Sequence, residues 1–360
     1  MKKYGLLVTS PVSSYKNIGD YVQSLAAKQY LDDEFYYVEK EEVSKFCSEE
    51  EIKVIMNAWY MWHPENWPPQ NCIKPLLTSI HISPLTASDM LSEKGLQYMI
   101  NHGPVGCRDT DTQKILEKAG VPCYFSGCLT LTLGRSYSFN GERRGIIFVD
   151  PYLPPYRYQV NGRNVVFVKN ILKGLWYYAK NYKKTKKLLR EHDYFHSRFN
   201  MISCYQAGMF YHIYSKKFTE EALFSAQYYG HIVPVKENES QESLLQRAEA
   251  LIRKYSKANL VVTSRIHCAL PSIGLSTPVV FVMNKDMESK ENMFNAPGRF
   301  GGLTSFFRCM RLQNGDFVTD DEVLASQDKI SSTFSFYNKD DWKTYAQKLE
   351  RQCTSFINEQ

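Results

Sequence analysis

Short β-branched and aliphatic runs alternate along this chain with longer stretches whose apolar positions recur every three or four residues. That is the pattern of parallel strands joined by crossover helices. Residues 4–9 read as the first strand and residues 10–17 as a polar loop. A helix follows from about Gly19, with Tyr21, Val22, Leu25, Ala26 and Leu31 spaced for one apolar face and Asp20 in its first turn. Residues 53–56 predict the next buried strand. Residues 57–69 form an aromatic loop holding Trp59, Trp62, His63 and Trp67. A short helix is expected near residues 73–79 and a longer one over 88–101. Residues 104–107 and 123–125 predict further strands. Between them a helix over 111–118 has Thr110 and Gln113 as a capping box and Gly120 as its stop.

Around residues 139–145 the pattern relaxes into Asn, Gly, Glu and Arg, which places a boundary between units 1–140 and 141–335. Strands resume at 146–149 and 165–168. An amphipathic helix over 240–257 leads into a buried strand at 260–263, a helix carrying 268–273 closed by Gly274, and a strand at 277–282. A last helix over 341–358, within a segment 336–360, is placed to cross back to the first unit. A chain of 360 residues exceeds what one core usually supports. The expected class is therefore α/β, with two Rossmann-like units facing a cleft.

The strand at 260–263 ends in Ser264, Arg265, Ile266 and His267, with Ser264 a candidate helix cap. In open α/β sheets ligands bind beyond the carboxyl ends of the strands, and helix N-terminal amides there favour an anion. Arg265 and His267 are thus candidate ligand-facing residues. Arg135, Arg143 and Arg144, at the boundary, read as solvated.

The formal net charge is +6, with 38 acidic residues interspersed among 44 basic ones, which is not a nucleic-acid signature. Lys180, Lys183, Lys184, Lys186, Lys187 and Arg190 form a basic cluster without an acid, after Trp176. It reads either as a solvated helix face or as a segment touching anionic lipid head groups. No run approaches the roughly 20 apolar residues needed to span a bilayer, and the first apolar run is too short for a signal peptide. Nine scattered cysteines without a CxxC pair suggest reduced thiols of a cytoplasmic protein. The eight histidines are dispersed, and no metal centre is expected.

Asn17-Ile18-Gly19-Asp20 opening the first helix, Gly106-Cys107-Arg108-Asp109 before the capped helix, and Val262 to His267 followed by Gly274 and Thr277-Pro278 occur in an order that resembles the polysaccharide pyruvyl transferase family. The resemblance implies a glycosyltransferase-B-like architecture. It also implies transfer of the pyruvyl group of phosphoenolpyruvate, as co-substrate and with no other cofactor, to a sugar hydroxyl pair as a ketal. By the same resemblance His267 is the general acid, and Arg265 and Arg108 hold the donor's anionic groups. Asn17, Gly19, Asp20 and Ser264 lie at the same cleft, with Lys285 near the donor phosphate. Asn57, Trp59 and His63 are the acceptor-side candidates. A polyprenyl-diphosphate-linked acceptor at the inner membrane face would give the lysine cluster a purpose.

Arginine's planar fork pairs with phosphate or carboxylate in a bidentate manner, and a histidine titrating near neutrality suits proton delivery to the donor's methylene carbon. Two departures from the family pattern stand out: Asn57-Ala58-Trp59 replaces a glycine-rich segment, and Cys268 follows His267 where a small residue is frequent. Two rivals remain. One is a nucleotide-sugar glycosyltransferase of the same architecture, with Asp286 as its acidic residue. The other is a non-catalytic protein of glycan assembly.

Overall fold

The computed structural model describes residues 3–9, 15–32, 34–60, 63–160, 163–284 and 300–359. Two parallel sheets organise the chain. The first has the order Phe35–Glu39, Tyr4–Val8, Ile52–Ile55, Ile73–Leu76, parallel throughout. The second has the order Gln227–Tyr229, Ile146–Val149, Leu260–Thr263, Val279–Asn284, Arg308–Gln313, Asp316–Val318. Its first five strands are parallel and its last pairs antiparallel. The protein is thus mixed α/β with parallel sheets.

The period of two along each central strand sorts side chains between two cores. Ile147, Val149, Val261, Val279 and Phe281 enter one, while Ile146, Phe148, Leu260, Val262, Val280 and Val282 enter the other. Both faces are covered, which is why these strands read as unbroken apolar runs.

The first of these cores is shared by both halves of the chain. It also takes Leu6, Val8 and Ile55 from the first sheet and Trp342, Leu349 and Phe356 from the last helix. Helix Ile18–Lys28 lies at its centre, against helices Gln241–Lys257 and Ile266–Gly274. The Tyr21 hydroxyl donates to Thr9 O at 2.7 Å and to Gln241 Oε1 at 2.9 Å. Strand Tyr15–Asn17 pairs antiparallel with Ile232–Pro234, and Ile18 N–H donates to His231 O at 2.8 Å, so backbone bonds also join the two halves. Helix Trp342–Asn358 packs beside the first sheet, where Lys53 Nζ donates to Phe356 O at 2.9 Å.

Several expected elements differ in the structure. Residues 73–79 do not form a helix: Ile73–Leu76 is an edge strand paired with Ile52–Ile55, and an edge position accommodates Pro75. The helix over 88–101 is two pieces, Ala87–Met90 and Glu93–Asn101. A Cβ on Gly95 would lie 2.1 Å from Met90 O, so the second piece abuts the first closely. Asp109, not Thr110, caps helix Thr110–Lys118, accepting from Thr112 N at 3.0 Å. The strand expected at 165–168 is Arg163–Val166, and a helix begins at Val168. Gly274 ends its helix without a left-handed turn. Its role is close approach, because a Cβ there would lie 2.5 Å from Leu131 O. Arg143 is not simply solvated: it donates to Ser256 O, Ser276 O and Leu275 O at 2.8–3.0 Å. Strand Phe35–Glu39 has no counterpart among the expected elements.

Candidate active site

Strands Ile146–Val149 and Leu260–Thr263 run side by side in register, so Asp150 and Arg265 emerge at the same carboxyl edge. Asp150 takes φ +39°, a backbone conformation uncommon outside glycine but tolerated by Asp and Asn. Its Oδ2 accepts from Arg265 Nε at 2.8 Å and from the backbone N–H of His231 at 3.0 Å. Arg265 is about half exposed, and Asp150 engages only Nε. Among the described residues the two terminal amino groups have no hydrogen-bond partner.

His231 follows the neighbouring strand and is buried, its Nε2 2.9 Å from Tyr255 Oη. Burial pushes its pKa down to about 4. The charge of Asp150 opposes that fall and Arg265 adds to it. His267 occupies the first turn of helix Ile266–Gly274 and is buried. A Cβ built on Gly19 would stand 3.1 Å from both His231 Nδ1 and His267 Cβ, so Gly19 lets the first helix start directly against both histidines. Two of the sequence motifs, Asn17 to Asp20 and Val262 to His267, are therefore in contact.

The remaining candidates take varied positions. Asn17 is a structural cap, its Oδ1 accepting from Gly19 N at 3.1 Å. Asp20 lies 3.8 Å from Lys40 Nζ, a buried ammonium that also donates to Trp59 O at 3.2 Å. Ser264 does not cap the helix. Its hydroxyl donates to Val282 O at 2.8 Å and accepts from Tyr152 N at 3.0 Å, joining the rims of three strands. Asn57 is buried and donates to Gln23 O. Trp59 is also buried, edge-on to His81 with ring centroids 5.3 Å apart, in a short strand pair with His81–Ile82. His63 is exposed and pairs with Glu65 at 2.9 Å. Lys285, Asp286 and Trp62 lie outside the described residues. Cys268 packs in the core, its thiol pushed up to about 12 by burial.

Arg108 leaves strand Val105–Cys107 with none of its side chain exposed. Its Nε lies 3.4 Å from Asp109 Oδ2, close enough for an ion pair but not in hydrogen-bond geometry. Nε, Nη1 and Nη2 have no hydrogen-bond partner among the described residues. Asp109 is committed elsewhere: Oδ2 meets His81 Nδ1 at 2.6 Å, and Oδ1 accepts from Thr112 N and Oγ1 at 3.0 Å. Burial opposes ionisation of Asp109 most strongly. The charge and hydrogen bond of His81, with Arg108 and the Thr112 amide, outweigh it and hold the carboxyl below its usual range. A buried guanidinium with its five donors unsatisfied is costly, and an anion is the partner that removes the cost.

Asp150, His231 and the His81–Asp109 pair were not among the candidates drawn from the sequence. Asp150 carried the same signal as Arg265, a polar residue at the end of a buried strand. His231 and His81 carried none, since short strands and tertiary contacts bring them in. Among the described residues no three His, Cys, Asp or Glu side chains are grouped to hold a metal ion.

The structure is thus mixed α/β with arginines at two strand ends, one half-exposed and held by a carboxylate, the other buried without hydrogen-bond partners among the described residues. The sequence model of the polysaccharide pyruvyl transferase family matches residues 17–286, three quarters of the chain, and the chain belongs to that family of transferases. No curated protein and no solved structure gives a match.

Proposed function

We propose that the protein transfers the pyruvyl group of phosphoenolpyruvate to two hydroxyls of one sugar in a polysaccharide repeat unit, forming a cyclic ketal and releasing phosphate. The observation that carries this reading is the buried guanidinium of Arg108, whose donors are unsatisfied. Arg265, held through Nε by Asp150, supplies a second fork. Phosphoenolpyruvate bears a carboxylate and a phosphate, and two arginines suit two anionic groups.

In this mechanism His267 delivers a proton to C3 of the donor, leaving C2 with oxocarbenium character. One sugar hydroxyl adds to C2 and its proton restores the acid form of His267. The second hydroxyl displaces phosphate, and its proton leaves with that group. The two sheets would face each other as in a glycosyltransferase-B arrangement, with the half-buried Asp20 and the buried Lys40 and Trp59 on the acceptor side. A lipid-linked repeat unit is the proposed acceptor.

The test is incubation with phosphoenolpyruvate and a panel of galactosides, glucosides and aminosugars, read by product mass and phosphate release. Release of phosphate coupled to a ketal adduct is expected, and nucleoside diphosphates should leave the rate unchanged. Inhibition by them, with no adduct on any sugar, would move the assignment to nucleotide-sugar transfer.

A further inference from the structure

Residues 151–190 contain ten Lys and Arg and not one Asp or Glu. The rest of the chain carries 34 basic and 38 acidic residues, so the whole positive balance of the protein sits in this segment. It folds as the hairpin of strands Arg157–Val160 and Arg163–Val166, followed by helices Val168–Lys180 and Tyr182–Glu191.

Helix Val168–Lys180 turns an apolar stripe outward. Val168, Leu172 and Trp176, spaced four apart, are 59%, 60% and 57% exposed, and Phe167 and Val166 continue the surface toward the hairpin. The opposite face, through Ile171 and Gly174, packs on helix Asn200–Tyr214. The crossing is glycine to glycine: a Cβ on Gly208 would lie 2.1 Å from Gly174 O. That contact fixes the helix's rotation, so the stripe cannot turn inward.

The charges beside the stripe overlap only at Lys180 with the cluster the sequence emphasised. Lys184 is paired with Glu220, Lys187 and Arg190 lie near Glu191, and Lys186 donates to the Tyr182 hydroxyl. Lys169, Lys173 and Lys180 form no ion pair among the described residues, and Lys180 rests over the Trp176 ring at 5.0 Å. An apolar stripe with interleaved unneutralised lysines disfavours a second copy of itself, which would bring like charges together. It favours a surface that is apolar beneath and anionic above.

We infer that helix Val168–Lys180, with Val166 and Phe167 beside it, docks the protein on an anionic lipid bilayer, lying flat in the interface with Leu172 and Trp176 inserted. No described helix is long and apolar enough to cross a membrane, so the contact is peripheral. The surface is tied to the rim of the candidate site. Residues 151–156 run from Asp150 to the hairpin, Tyr152 N–H bonds Ser264, and Asn170 Nδ2 donates to Pro155 O at 2.7 Å. Docking there would bring the site close to acceptors carried by lipid. The inference itself does not rest on the transferase reading.

The experiment is co-sedimentation of the full chain with phosphatidylcholine vesicles, with and without phosphatidylglycerol, at low and high salt. Binding only to the anionic vesicles, weakened by salt, is expected. Leu172→Glu with Trp176→Glu, and separately Lys169→Glu with Lys173→Glu, should each weaken it by at least about tenfold. All four positions are exposed, so folding should persist, and phosphoenolpyruvate binding in solution should be unchanged. Loss of vesicle binding thus stays separable from loss of the transferase reading. Equal binding by wild type and both variants, or no binding by wild type, would overturn the inference. So would a dimer seen by light scattering that Trp176→Glu dissociates, since that would assign the face to a second copy.

Discussion

Asp150 Oδ2 lies 2.8 Å from Arg265 Nε and 3.0 Å from the backbone nitrogen of His231, so one carboxylate oxygen joins the ends of three adjacent strands. The bond takes Nε and leaves the terminal amino groups of Arg265 directed by a fixed partner. A long, half-exposed side chain otherwise loses rotamer entropy when it binds an anion, and the Asp150 contact reduces that loss in advance.

Replacing Asp150 with Asn should therefore raise the KM for phosphoenolpyruvate by roughly tenfold while changing kcat less, because Arg265 remains but is held less firmly. Arg265→Lys keeps the charge and loses the fork, and should weaken donor affinity by a similar or larger factor. Calorimetric titration with phosphoenolpyruvate checks both, and unchanged affinity in Arg265→Lys would remove Arg265 from donor binding.

His267→Ala should lower turnover by roughly 10² to 10⁴, the usual contribution of a general acid, with donor affinity largely kept. Steady-state phosphate release measures the first and calorimetry the second. Near-normal turnover would leave His267 as a packing residue beside Gly19.

Arg108 gives opposite effects on stability and on binding. Arg108→Met removes a buried, unsatisfied guanidinium while Asp109 keeps His81 and Thr112. The ligand-free variant should be as stable as wild type or more so, by up to about 2 kcal/mol. Phosphoenolpyruvate should no longer raise its melting temperature. A large destabilisation without ligand would show that Arg108 serves the fold and not the donor.

The pH dependence of stability should carry the mark of His231. Its pKa falls from about 6.5 when unfolded to about 4 when folded. The unfolded chain therefore binds this proton first, and stability drops as pH falls through that window, by on the order of 3 kcal/mol in full. His231→Gln should flatten the decline between about pH 6.5 and 4. The Asp109 contribution has the other form: its folded pKa is depressed, so its stabilisation is present above the unfolded value and is lost only as pH falls further, through the folded one. Urea denaturation at stepped pH separates the two, and an unchanged slope in His231→Gln would be the adverse result.

Strands buried on both faces and helices with a clear apolar face could be read directly from the order of residues. Ile146–Val149, Leu260–Thr263 and Gln241–Lys257 were legible because burial on both sides, or a 3.6-residue period, leaves a local signature. The sequence also marked Arg265 and His267, since a polar pair at the end of such a strand stands out. Edge and short strands were not legible: Ile73–Leu76 contains a proline that only an edge position allows, and Phe35–Glu39 has just two buried residues.

Which groups meet, and which of them are satisfied, follows from packing alone. Asp150, His231 and Gly19 are far apart in sequence, and strand register and a glycine-sized gap bring them together. The unsatisfied state of Arg108 depends on Asp109 being taken by His81 and Thr112. The outward rotation of Val168, Leu172 and Trp176 is set by Gly174 packing on Gly208. Periodicity records the free energy of burying a face of one element. Hydrogen-bond partners, charge compensation and the rotation of a helix are properties of the packed whole.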